Sequence, residues 1–216
     1  MKKKLKKEIL RKLFHLYQLP VIVGYIVLKY YFSEGIAVFA LAIVLMLIIE
    51  LESLRLEWKV KVPDFLGIMR KHERSRVTGS LYMIISTIIV FSVFDFKIAL
   101  VALLLTVFGD LASAIIGIRF GKHRLKNGKS WEGLIGGLVI NLLVAMIFLA
   151  QYPLVAITMA AVASFTELTT YKLDDNLTVP LFSAFFGHTI AYVLGISFVQ
   201  LTNPMQDLYI FLQTFL

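Results

Sequence analysis

Seven apolar runs organise the chain, at 13–32, 35–51, 79–96, 98–118, 131–150, 153–171 and 179–200. A hydrocarbon core about 30 Å thick takes roughly 20 apolar helical residues to cross, so each run predicts a membrane-spanning helix and the whole predicts an all-α polytopic bundle of about seven spans. The second run is at the short limit. Pro20 predicts a kink in the first. Between runs two and three, segment 52–78 interleaves charged residues with Leu54, Leu56, Trp58, Phe65, Leu66, Ile68 and Met69, the pattern of an interfacial helix lying against membrane lipids. The tail 205–216 has enough apolar residues to follow an interface but is too short to span. A single integral membrane domain over 1–216 follows, with a basic start at 1–12, the interfacial segment 52–78 and a basic loop at 119–130.

Composition agrees with that reading. Hydrophobic residues make up 59% of the 216 and charged residues 17%, too few charges for a water-facing surface. The net charge of +8 would suggest nucleic acid in a soluble chain, but the charges fall between the apolar runs and not along a helix face. Of the Lys and Arg residues, those at 1–12, at 55–76, at 119–129 and Lys172 all fall on one side of the predicted membrane, and only Lys29 and Lys97 on the other. By the positive-inside rule the amino terminus is cytoplasmic and the carboxyl terminus outside. No small-residue cleavage site follows Leu28, so the first run reads as a retained anchor. The absence of cysteine excludes disulfides, thiolate metal sites and cysteine nucleophiles.

Acids within or beside apolar runs carry the chemical information. A charge at mid-bilayer costs about 2.5–3.5 kcal/mol on insertion scales, so such residues face a bundle interior and mark function. Asp110, Glu132 and Glu167 meet that description, with Asp174 and Asp175 at the inner end of run six. If that helix continues, Glu167, Tyr171 and Asp174 share one face. Asp110 lies nine residues before Arg119, about 13 Å below the inner boundary on an unbroken helix, which requires a wet cavity or a helix break.

Around Asp110 the glycines and serines recur every fourth residue (Gly109, Ser113, Gly117, Gly121), and Gly133 and Gly137 repeat the spacing in run five. Small residues at that spacing let helices approach closely, either within the chain or in a homo-oligomer. The loop from Arg119 to Glu132 carries five cations, and Ser130 is placed to cap a helix, an arrangement suited to anions such as phosphate. Gly128-Lys129-Ser130 resembles the end of a P-loop, but the first glycine would fall on His123 and no strand precedes it. Acids with cations at one leaflet suit a metal-bound polyphosphate, the carboxylates holding Mg²⁺ and Lys or Arg neutralising phosphate charge.

The blocks Gly109-Asp110-Leu111-Ala112-Ser113 through Gly117 to Gly121, Lys129-Ser130-Trp131-Glu132-Gly133, and Glu167 with Asp174-Asp175-Asn176-Leu177-Thr178-Val179-Pro180 resemble those of the CTP-dependent lipid kinases. That family includes dolichol kinase, phytol kinase and the yeast-type diacylglycerol kinase, and is distantly similar to phosphatidate cytidylyltransferase. Arg11-Lys12-Leu13-Phe14-His15 resembles its opening motif. The resemblance implies Mg²⁺-dependent transfer of the CTP γ-phosphate to a membrane alcohol, of polyprenol, dolichol or shorter prenol type, at the cytoplasmic face of a cell membrane. It implies Asp110 and one or both of Asp174 and Asp175 as metal ligands, Lys129 and also Arg119 as phosphate contacts, and Glu167 or a partner Asp as base. Ser113 and Asn176 would complete the nucleotide or metal shell, with Glu132 either beside the nucleotide or a structural ion-pair partner. The cytidylyltransferase's Pro-Gly-His-Gly-Gly stretch is missing, which favours kinase chemistry. A cytidylyltransferase and an ion-coupled transporter are the alternatives. His188 reads as a satisfied interhelical histidine, and His15 as a phosphate contact or a lipid-headgroup anchor.

Overall fold

The computed structural model describes residues 10, 12, 13, 15–57, 77–125, 128–170 and 173–198. The basic start at 1–9, most of the interfacial segment 52–78, Tyr171, Lys172 and the tail 205–216 lie outside the described residues. Those residues form seven α-helices: α1 (Gln18–Tyr31), α2 (Glu34–Leu56), α3 (Gly79–Val93), α4 (Phe96–Phe120), α5 (Trp131–Phe148), α6 (Pro153–Thr169) and α7 (Asp175–Val193). Each falls on one of the seven apolar runs. Three of them, α2, α4 and α5, are long and apolar enough to cross a membrane.

The bundle is apolar outside as well as inside. Phe39, Met46 and Leu47 on α2, Ile135 and Leu143 on α5, and Phe165 on α6 are all more than half exposed, a distribution that suits lipid rather than water. At the centre stands α4, whose residues Ile98, Ala99, Val101, Ala102, Leu103 and Leu105 are fully buried. It packs most extensively on α5 and also touches α3, α6 and α7. The small-residue spacing is used within the chain: a Cβ on Gly133 would come 2.8 Å from the Ser113 carbonyl oxygen and 3.2 Å from the Gly117 Cα. Only glycine permits that approach of α4 to α5.

Two expectations about helix geometry change. Pro20 does not kink the first run, because α1 begins at Gln18 and places Pro20 in its first turn, where no intrahelical N–H bond is lost. A 3₁₀ turn, His15–Tyr17, precedes it. Run six does not continue as a helix to Asp174: α6 ends at Thr169, and Asp174 instead caps α7 by accepting from the Asn176 N–H at 3.0 Å. Inside α7, Pro180 cannot donate to the Asn176 carbonyl, and the Ser86 hydroxyl of α3 fills that vacancy at 2.8 Å. The start of α7 is thereby tied to α3. Two polar pairs elsewhere in the interior are hydrogen-bonded, the Gln18 amide donating to Thr87 at 2.6 Å and the Asn141 amide to Ser164 at 2.8 Å, while Gln18 Oε1 and Asn141 Oδ1 are buried without a partner among the described residues.

Candidate active site

Because α4 runs unbroken past Asp110 to Phe120, that acid needs a cavity, and the structure has one. A polar cavity of about 250 Å³ is lined by Lys12, Asp110, Ser113, Arg124, Lys129, Ser130, Ser164, Glu167 and Asp175 together with glycines of α4 and α5. The side chains come from the start of the chain, α4, the 121–130 loop, α6 and the first residue of α7.

Each acid has a defined partner. Asp110 is bonded by the Lys12 ammonium, a contact between residues 98 positions apart whose side chains are 14% and 7% exposed. Glu167 accepts from the Ser113 hydroxyl. Asp175 lies 3.4 Å from the Lys129 ammonium, which also donates to the Glu167 carbonyl. Burial disfavours the Lys12 ammonium, but Asp110, Asp175 and Glu167 outweigh it and hold its pKa above the usual lysine value. Lys12 is therefore a fixed positive charge in the cavity.

Local chemistry in the loop explains how Lys129 arrives. Gly128 takes φ +82, the left-handed region, and closes a turn in which Gly128 N–H donates to Leu125 at 2.9 Å and Leu125 N–H to Lys129 at 2.8 Å. An isolated antiparallel bridge then pairs Arg124 with Ser130. The Arg124 guanidinium donates to the Gly117 carbonyl at 3.0 Å and the Gly128 carbonyl at 3.1 Å, clamping the turn on the end of α4. Ser130 caps α5 as expected, accepting from Gly133 N–H at 3.1 Å.

Asp110, Glu167, Asp175, Lys129 and Ser113 therefore meet, whereas four other candidates stand apart. Arg119 is exposed at the end of α4, its guanidinium 5.4 Å from the Phe120 ring centroid, because the helix turns it off the α5 face. Glu132 accepts from the His123 N–H at 3.1 Å and lies 2.8 Å from its Nδ1, pinning the loop as a structural pair. Asp174 is occupied as the α7 cap, and the Asn176 amide donates back to it at 2.7 Å. Both face Gly79 of α3 and neither lines the cavity. His188 sits 3.2 Å from Asp95, far along α7 from these acids.

Sequence reasoning missed Lys12 and Arg124 as cavity residues, having assigned both to topology. The signal for Lys12 was its place in the Arg11–His15 block. A second cluster at the same end of α2 also went unnoticed: Glu52 is buried, bonded by Arg55 and by the Thr78 hydroxyl at 3.0 Å.

The donor chemistry fits Mg²⁺. That ion is commonly held by one or two protein carboxylates with substrate phosphates completing its shell. No group of three or more His, Asp or Glu side chains placed to hold a metal occurs among the described residues.

No family model matches the chain, and no solved structure matches it. Curated relatives do. The CTP-dependent diacylglycerol kinase 1 of Eremothecium gossypii is 28% identical over 150 residues, covering 57% of this chain and 47% of the relative. The protein of the same name from Saccharomyces cerevisiae is 24% identical over 220 residues, covering 86% of this chain and 74% of the relative. A phytol kinase of Synechocystis sp. is 30% identical over 105 residues, 44% of this chain and 45% of the relative. The chain thus spans about half the length of the first and third of these. The similarities agree with the resemblance carried by the Asp110, Lys129 and Asp175 blocks.

Proposed function

We propose that this chain, a relative of the CTP-dependent lipid kinases, transfers the γ-phosphate of CTP to the hydroxyl of a membrane lipid alcohol. The observation that carries the reading is the polar cavity where Asp110, Glu167 and Asp175 meet the ammonium groups of Lys12 and Lys129. Acids and bases in one recess suit a metal–polyphosphate better than either ion alone. At about 250 Å³ the cavity suits the phosphate end of a nucleotide rather than the whole of it.

Asp110 and Asp175 would hold Mg²⁺, which when bound draws off charge from the phosphate oxygens. Lys12 and Lys129 exchange their carboxylate partners for phosphate and fix the γ-group. Arg124 takes the role expected of Arg119, its guanidinium keeping the Gly128 turn closed over the site. Glu167, oriented by Ser113, accepts the proton of the lipid hydroxyl as its oxygen forms the new bond to the γ-phosphorus. The bond from that phosphorus to the β–γ bridging oxygen breaks, and CDP leaves. The positive-inside distribution supports a cytoplasmic active site, since Lys129 and Arg124 belong to the inner loop.

A polyprenol, dolichol or shorter prenol is the proposed acceptor class, with diacylglycerol its competitor. The test is label transfer in proteoliposomes holding polyprenol, phytol or dioleoylglycerol. Label from γ-labelled CTP entering the prenol lipids supports this reading, and entry into dioleoylglycerol alone would replace the acceptor. Label entering lipid from α-labelled CTP, with pyrophosphate released, would replace the kinase by a cytidylyltransferase.

A further inference from the structure

A second cavity, of about 1020 Å³, lies on the outer side of α6 and is lined almost entirely by apolar groups of α5, α6 and α7. Leu138, Val162, Phe165, Phe182 and Phe186 form its walls, and three of these aromatics are 41–64% exposed at its mouth. It adjoins the polar site, Leu134 and Ser164 lining both. Helix α6 is the partition: Glu167 faces the polar cavity while Phe165, Thr166 and Thr169 face the groove. Thr170 and Thr178, 3.1 Å apart, make its polar end.

We propose that this groove holds the hydrocarbon chain of the acceptor and delivers its hydroxyl past Leu134 and Ser164 to Glu167, an inference resting on the kinase reading above. The occupant follows from the shared wall of the two cavities: an apolar recess with exposed aromatics at its mouth, adjoining at Leu134 and Ser164 a site suited to phosphoryl transfer, matches an amphiphile with one reactive head. Hydrocarbon leaving a bilayer for an apolar groove gains little hydrophobic free energy, so the groove acts by orientation. Blocking it therefore slows transfer to long-chain acceptors and leaves CTP binding intact.

The experiment uses the full chain in proteoliposomes with γ-labelled CTP, offering phytol and dioleoylglycerol as long probes and dihexanoylglycerol as a short one. Ala161→Trp places bulk at an exposed position of the groove. The long-to-short rate ratio is expected to fall on the order of tenfold or more with KM for CTP unchanged. Val139→Trp, equally lipid-facing on α5 but outside the groove, leaves the ratio at its original value. A diacylglycerol carrying a diazirine on its chain supplies an activity-independent readout, with crosslinks expected on peptides of α5, α6 and α7. An unchanged ratio in Ala161→Trp, or crosslinks confined to α1 and α2, overturns the groove assignment while transfer by the unmodified chain upholds the kinase. Absence of transfer to every acceptor overturns the kinase reading and this inference with it.

Discussion

Replacing Lys12 by Met separates a structural ion pair from a phosphate-binding group. Lys12 and Asp110 are 7% and 14% exposed, so the change strands a nearly buried carboxylate beside Glu167 and Asp175. Removing one member of a fully buried pair costs about 3–5 kcal/mol; the polar cavity admits water here, and a loss of about 1–3 kcal/mol is expected. The catalytic effect is separate. A preorganised charge lost from a transition state costs on the order of 100- to 1,000-fold in rate, about 2.7–4 kcal/mol. Initial rates of label transfer from CTP, alongside thermal unfolding in detergent, give both quantities. Adding Asp110→Asn to Lys12→Met neutralises both partners, so thermal stability should recover while transfer stays lost. A stable Lys12→Met protein with kcat/KM for CTP within about twofold of the original would refute the assignment of Lys12 to phosphate.

Asp110→Asn alone should abolish transfer while the protein still folds and inserts, checked by labelled transfer and size-exclusion chromatography; retained activity would remove Asp110 from the metal role. Lys129→Ala should raise KM for CTP or lower kcat on the order of tenfold or more, and unchanged kinetics would return Lys129 to a topological charge. Arg119→Ala should leave kcat/KM within about twofold, because its guanidinium lies over Phe120 and away from the cavity; a large loss would show that Arg119 reaches the nucleotide. Gly133→Ala should destabilise the bundle by about 1–3 kcal/mol, seen as a lower Tm, since its Cβ meets the Ser113 carbonyl at 2.8 Å and must push α5 from α4.

The helices were legible because an apolar run bounded by polar residues marks each of them, although among the described helices only α2, α4 and α5 are long and apolar enough to cross a membrane. Where polarity and helicity part company, the sequence misled. Run two ends at residue 51 on apolarity, yet α2 continues through Glu52 and Arg55 to Leu56, since Arg55 and Thr78 satisfy Glu52 within the protein. The break after Thr169 was hidden for the opposite reason. An apolar run and a face shared by Glu167 and Asp174 suggested continuity, although an Asp followed by an acidic first-turn residue is itself a start signal. That signal also accounts for the division of labour between neighbours: Asp174 is spent on the cap, and Asp175, the next residue, lines the cavity beside Lys129.

Within the site the sign of the charge decides what a sequence can reveal. An acid in an apolar run has no topological reason to be there, so Asp110 and Glu167 demand a cavity before any fold is known. A Lys or Arg at the inner end of a run always has such a reason, and the positive-inside rule explains Lys12 as readily as Lys3. Lys12 is distinguished only when the chain folds back across 98 positions to Asp110, and Arg124 only when Gly128 turns left-handed. A buried carboxylate therefore predicts that some cation among the topological ones has been withdrawn from the surface to meet it. In this bundle, Lys12 meets that requirement at Asp110, their side chains being 7% and 14% exposed.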